Sequence, residues 1–187
     1  MRKLATRAEV AVTTLYNLYG GRGEILLAIV NEAADAIILA LDAESTLDDP
    51  IERCFSIFEV TVREFGRNES THRPMIVAGF GPQSLQVNAD RRIAGRAIAV
   101  QREAIEAARD YGLLRPEADA MRLAEQMFHG WDLACAQWAH GRIDLAAFEA
   151  RSLYGVVLAL QALASDELQP TLEARRVELE QRLAEEH

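Results

Sequence analysis

The chain has 187 residues and a formal net charge of −9 at pH 7; half of it is apolar and only 6% is aromatic. That length holds one or two compact domains with a sizeable core, and so large an apolar fraction excludes a disordered chain. No uncharged apolar run reaches the roughly 18 residues of a membrane-spanning helix, so no membrane partner is expected.

Abundant alanine with few aromatic residues fits closely packed helices better than sheets, and an all-α fold is expected. The first residues, Met1-Arg2-Lys3-Leu4-Ala5-Thr6-Arg7, lack the apolar core of a signal peptide, which makes the cytoplasm the expected compartment. Cys54 and Cys135 fall in apolar helical stretches and read as reduced core residues.

Charge is unevenly distributed. Residues 1–23 hold Arg2, Lys3, Arg7 and Arg22 against Glu9 alone, a balance of +3 that leaves −12 for the rest of the chain. A basic segment on an acidic body suits a protein that meets a polyanion through its N-terminus only. Within that segment Leu4 to Ala8 reads as a short helix ending near Glu9, and Val12 to Tyr19 as a second, closed by Gly20-Gly21. Two short helices joined by a tight turn and held by Leu4, Ala5, Ala8, Val10, Leu15 and Tyr19 form a helix-turn-helix, whose second helix can enter a major groove.

Helical periodicity dominates the remainder. Asp48-Asp49-Pro50 opens a helix, Gly66 to Pro74 and Gly79-Phe80-Gly81-Pro82 are breaks, and Gly112 is a C-cap. Pro116-Glu117 starts the next helix, Gly141 stops it, and Pro170 introduces the last. The spacing predicts helices over 22–46, 50–66, 72–80, 84–111, 116–140, 145–165 and 170–185. Residues 1–45 are expected to form a DNA-binding domain with its connecting helix, and 46–187 a second, helical domain. In the last helix Leu168, Leu172, Leu179 and Leu183 share a stripe that should pack along the bundle.

Helix 116–140 carries two apolar rows, Ala124-Phe128-Trp131-Cys135-Trp138 and Leu123-Met127-Gly130-Ala134, and helix 145–165 is apolar on two sides as well. A helix apolar on both sides must be covered on both. A second copy of the pair is the expected second cover, with Leu123, Ala134, Leu153, Val157 and Leu160 in a two-fold four-helix interface of a homodimer.

The string Leu4-Ala5-x-x-Ala8-x-Val10-x-x-x-Thr14-Leu15-Tyr16-x-x-Tyr19-Gly20-x-Arg22-x-Glu24-Ile25-Leu26 resembles the DNA-binding signature of the TetR family of transcriptional regulators. The helical body with its doubly apolar final pair also looks like that family's ligand-binding and dimerisation domain. The resemblance implies a regulator, a repressor released from a double-stranded DNA operator by a small, apolar effector, with no cofactor and no catalysis. Thr13, Thr14 and Asn17 are short polar residues on the recognition helix, suited to base edges: Asn to adenine, a Thr methyl to thymine. The resemblance gives Tyr16 a phosphate contact through its hydroxyl and Arg22, in place of a Lys, a phosphate contact at a helix N-terminus. Arg2 and Lys3 are further phosphate candidates. Tyr19 takes the place of a buried Phe and is expected in the core.

Three positions depart from the pattern. Glu9 stands where the family favours Gly in the turn, Ala11 where Ser or Thr caps the recognition helix at a loss of ~1 kcal/mol, and Leu18 where a polar residue is common. The family also places a helix before the equivalent of Leu4, covering Leu4, Ala8 and Leu15. Burying one such large side chain is worth ~1.5 to 3 kcal/mol, so residues 1–20 are expected to pack poorly and to bind DNA weakly without it.

Candidate effector-lining residues are Phe58, Met75, Phe80, Tyr111, Met127, Phe128, Trp131 and Trp138, with His72, His129 and Gln126 as polar handles. An enzyme has little in its favour. His72, His129, His140 and His187 lack metal-ligand spacing, Gly20-Gly21-Arg22-Gly23 lacks the strand and Lys of a phosphate loop, and no serine sits in a nucleophile elbow. The alternative is a helical small-molecule-binding dimer that does not bind DNA.

Overall fold

The structure, a computed structural model, describes residues 5, 6, 8–21, 23–25, 28, 31, 32, 35, 36, 38–40, 48–79 and 87–185, with the backbone alone for 78, 79 and 87–94. The fold is all-α. Its helices are α1 (Val12–Tyr19), α2 (Pro50–Arg67), α3 (Glu69–Gly79), α4 (Val87–Asp110), α5 (Ala120–Ala139), α6 (Leu145–Gln161) and α7 (Gln169–Ala184). The described residues from Gly23 to Ala40, which connect α1 to the body, are helical too. Among the described residues no helix is long and apolar enough to cross a membrane.

Aspartates start three of the helices. Asp49 accepts hydrogen bonds from the amides of Ile51 (2.8 Å) and Glu52 (3.3 Å), Asp119 from Arg122 (3.1 Å) and Asp144 from Ala147 (2.8 Å). Each satisfies donors that the first helical turn leaves open. Glycine ends two of them. The Gly112 amide bonds Arg109 O while Leu113 N reaches Ala108 O, and Gly141 N bonds Trp138 O while Arg142 N reaches Gln137 O. Both glycines adopt positive φ, 76° and 70°, in Schellman closures that L side chains enter only with strain.

Two expected boundaries shift. Helix α5 begins at Ala120 rather than Pro116, and α6 stops at Gln161 rather than 165. Arg115 N donates to Leu163 O and Ser165 N to Leu113 O, forming an antiparallel bridge between Leu114 and Ala164. Pairing at Ala164 stops α6 from running on, while Pro116 and Glu117 lie in a turn closed by Ala118 N donating to Arg115 O, so that α5 starts only after the Asp119 cap. The break expected over 66–74 narrows to Asn68, whose carbonyl accepts from Thr71 and His72 and starts α3.

The core has two main centres. One gathers Ile51, Cys54, Phe55 and Phe58 of α2, Ala104, Ile105 and Ala108 of α4, Ala124 and Met127 of α5, Leu153, Val156, Val157 and Leu160 of α6, and Leu172 and Leu179 of α7. The other joins Val62 and Phe65 of α2 with Cys135 and Trp138 of α5 and Phe148 of α6. Its rings stack: Phe65 on Trp138 at 5.8 Å and Trp138 on Phe148 at 5.5 Å between centroids. Cys54 and Cys135 are free and buried, as expected, and burial pushes the Cys54 thiol up to about 12. Helix α7 lies along the bundle through its leucines. Arg175 holds it to α2, pairing with Glu52 at 2.8 Å and covering the Phe55 ring at 3.8 Å, while the Tyr154 hydroxyl of α6 donates to Glu180 at 2.9 Å.

Phe148 joins the ring stack with no solvent exposure. Phe148→Ala should lower stability by about 3–5 kcal/mol in urea unfolding followed by circular dichroism; a loss below about 1 kcal/mol would mean the site closes over the gap.

Candidate nucleic-acid and ligand sites

The helix-turn-helix is built around a third Schellman closure. Glu9 N donates to Thr6 O (3.3 Å) and Val10 N to Ala5 O (3.0 Å), the same pair of bonds found at Gly112 and Gly141. Glu9 therefore occupies the left-handed position, at φ 54°, which explains why a glycine is favoured there. Ala11 follows as the N-cap of α1 in extended conformation with no side-chain hydrogen bond, so the cap expected to be lost is absent.

Among the described residues of this unit, Leu15 and Ala5 are buried. With Leu15 turned inward, Thr13, Tyr16 and Asn17 fall at i, i+3 and i+4 on the opposite stripe and are exposed, while Thr14 on the flank is half-buried. Leu18 is 69% exposed. Tyr19 departs from its expected place in the core: it is 42% exposed at the end of α1, where the chain turns away at Gly20 with φ 77°. Arg2, Lys3 and Arg22 lie outside the described residues.

The connecting segment rests on the body at two points. Ala40 packs against Ile57 and Val60 of α2, the cluster that Val100 of α4 also covers, and Asp35 lies 3.5 Å from Arg96 of α4. It thus touches the two helices that wall one side of the core.

The expected effector residues divide into three groups. Phe58, Met75, Met127 and Trp138 are buried. Phe128, Trp131 and His72 are half-buried around the ring stack, Phe128 5.6 Å from Trp131 and Trp131 6.1 Å from Phe65, with His72 Nδ1 3.1 Å from Phe65 O. Tyr111 is not a lining residue. It precedes the Gly112 turn and is 74% exposed. Gln126 and His129 are exposed on α5, and Phe80 lies outside the described residues. A surface cleft of about 530 Å³ is lined by Arg109, Asp110, Gly112, Leu114, Arg115, Pro116 and Ser165, none of them an expected effector residue. Among the described residues no group of three or more His, Cys, Asp or Glu could hold a metal.

Sequence reasoning missed Gln101. It is almost wholly buried on α4, its Nε2 within reach of Cys54 O at 3.4 Å and Met127 Sδ at 3.0 Å. The available signal was its spacing: Ile98, Gln101, Ile105 and Ala108 share one helical stripe, with a polar residue in an apolar row.

The interface residues are also reassigned. Val157 and Leu160 have no exposed surface, Ala134 and Leu153 are buried, and Leu123 is half-buried against the first core centre. Ala134, Leu153, Val157 and Leu160 are thus the chain's own core, and Leu123 alone of the five keeps part of its surface open. The outward face of the pair is different. Arg151 Nη1 of α6 donates to Gln137 Oε1 of α5 at 2.8 Å. Leu133 is 63% exposed, Leu158 is exposed, and a Cβ added at Gly130 or Gly155 would meet nothing. Asp132 at the margin has its carboxyl raised by burial, opposed by the charge of His129.

No protein-family profile and no curated protein matches the chain. Its fold is shared with a solved structure from Syntrophomonas wolfei, a protein assigned to the TetR family of transcriptional regulators. The match has a TM-score of 0.69 over 85% of this chain and 83% of that one, at 18% sequence identity. At that identity the likeness is one of fold, and it agrees with the helix-turn-helix and helical body read from the sequence.

Glu9→Gly should stabilise the turn by about 0.5–1 kcal/mol and slow amide exchange in α1, because the left-handed position then carries no Cβ. Unchanged exchange protection across Val12–Tyr19 would show that Glu9 sits there without strain.

Proposed function

We propose that the chain is a DNA-binding transcriptional regulator of the TetR type, a cytoplasmic repressor released from its operator by a small, apolar effector. Residues 1–45 form the DNA-binding domain and 46–187 the ligand-binding and dimerisation domain. The observation that carries this reading is the exposed stripe of Thr13, Tyr16 and Asn17 on a short helix anchored by Leu15, in a fold shared with a protein of that family. A short protruding helix with hydroxyl and amide groups outward suits base edges and phosphates. Exposed Leu18 adds an apolar contact of the kind that a thymine methyl takes.

Effector control follows from the two supports of the connecting segment. A ligand that favours one arrangement of α2 and α4 shifts the helix held at Ile57, Val60 and Arg96, and with it the spacing of two recognition helices in a dimer. The dimer forms through the outward face of α5 and α6, where Gly130 and Gly155 allow close approach and Leu133 and Leu158 supply apolar area. A second reading, a ligand-binding dimer without DNA, draws on the carboxylate of Glu9 beside the recognition helix.

Two experiments test these readings. Selection from random duplexes at low salt should enrich a two-fold symmetric site with half-sites about one helical turn apart, and Thr13→Ala with Asn17→Ala should abolish the enrichment. No enrichment favours the reading without DNA, and enrichment indifferent to both substitutions overturns the roles given to Thr13 and Asn17. Leu133→Glu with Leu158→Glu should convert a dimer to a folded monomer in sedimentation equilibrium, by placing charges where the two copies meet; a dimer that survives both places its interface elsewhere.

A further inference from the structure

Gln101 sits in the centre of the body with 1% of its surface exposed. Its Nε2 points at the Cys54 carbonyl of α2 and the Met127 sulfur of α5, while its Oε1 is buried without a partner. The orientation is fixed by chemistry. Exchanging the two ends of the amide would press one carbonyl oxygen against another at Cys54, so the oxygen must face the other way. Around it the first core centre is apolar, with Cys54, Phe55, Phe58, Ile105 and Met127.

A methionine would fill this space without burying an unmatched acceptor. Both partners of Nε2 are weak ones, since Cys54 O belongs to a helical carbonyl ladder and a thioether accepts poorly. Gln101 is therefore poorly explained as a structural tie. One helical turn beyond Met127, Trp131 buries an indole N–H that also lacks a partner, at the point where the two core centres meet. The same region of α4 and α5 thus holds an orphan acceptor and an orphan donor beside aromatic rings.

We infer that Gln101 is the polar reader of the effector site, and that the effector is a ring-sized apolar molecule bearing a hydroxyl or N–H that donates to Gln101 Oε1. A hydroxyl does more than an N–H here, because its lone pairs can also accept from an indole such as that of Trp131. A pure hydrocarbon satisfies neither group. Gln101 is also well placed to act on the connecting segment. It joins α4 to α2 through Cys54, and its neighbour Val100 packs on Ile57 and Val60 of α2, the residues that Ala40 also covers. The inference rests on the effector reading above and specifies the chemistry of the ligand.

The test compares molecules of one shape with and without the donor: phenol against toluene, and indole against indene, titrated calorimetrically into the full chain. Phenol and indole should bind roughly tenfold or more tightly than their partners. Gln101→Met should keep the urea midpoint of the parent and bind both members of each pair equally. Trp131→Phe, which removes the indole N–H and keeps a ring, should weaken phenol more than toluene. Equal binding of both members by the parent chain, discrimination that persists in Gln101→Met, or no binding by any of the four overturns the inference. The effector reading fails separately, if no molecule bound by the body changes retention of the selected duplex.

Discussion

Helix α6 is the constraint on which the rest of the body depends. Ala147, Phe148, Ala150, Ser152, Leu153, Val156, Val157 and Leu160 are all buried, so apolar surface runs most of the way around it. Even its buried hydroxyl is satisfied within the helix, Ser152 Oγ donating to Phe148 O at 2.7 Å. Such a helix cannot stand at a surface. The chain covers it with α2, α5 and α7, and the closeness of these contacts depends on the alanines at the crossings. One strip remains open, that of Gly155 and Leu158, and it continues across α5 through Gly130 and Leu133. The internal packing and the outward face are therefore one problem, solved for three sides by the chain and left for the fourth.

Much of this was legible in the residues. Asp before a helical run, Gly after one and Pro at a first turn mark local hydrogen-bonding needs, and the observed starts of α2 and α6 follow them. The turn at Glu9 was legible as an unfavourable choice because its cause is local backbone sterics. The end of α6 was not, because the bridge between Leu114 and Ala164 joins residues far apart in the chain, and at the start of α5 the Asp119 cap takes precedence over Pro116. The interface residues failed for another reason. Periodicity shows that α5 and α6 have two apolar sides but carries no sign of which side faces inward, and Val157 and Leu160 belonged to the inner one. Gln101 was visible as a polar residue in an apolar stripe, yet its buried oxygen became evident only with the positions of Cys54 and Met127.

Charge follows the same division of labour. The acidic excess of the body is partly held on its own surface by arginines that bridge helices, as Arg175 does with Glu52 and Glu59. These pairs are half-buried at the bundle surface, and Arg175 also covers the Phe55 ring, so its stem and guanidinium close an edge of the core. An acidic body of this kind repels a polyanion, which confines any approach to DNA to the first turns of the chain.

The connection between the two ends of the molecule then falls on few residues. Ala40 is small and apolar, and it rests where α2 and α4 meet; a larger contact would bind the connecting segment to one helix alone. The Asp35–Arg96 pair, 3.5 Å apart and open to water, is weak enough to break and reform. Support of this sort transmits a change in the relative position of α2 and α4 and resists little else. Gln101 lies across that same pair of helices, with Val100 as its neighbour, so a group that engages its amide acts where the connecting segment is held. The buried amide of Gln101 and the Val100 side chain that packs on Ile57 and Val60 thus belong to adjacent residues of one helix.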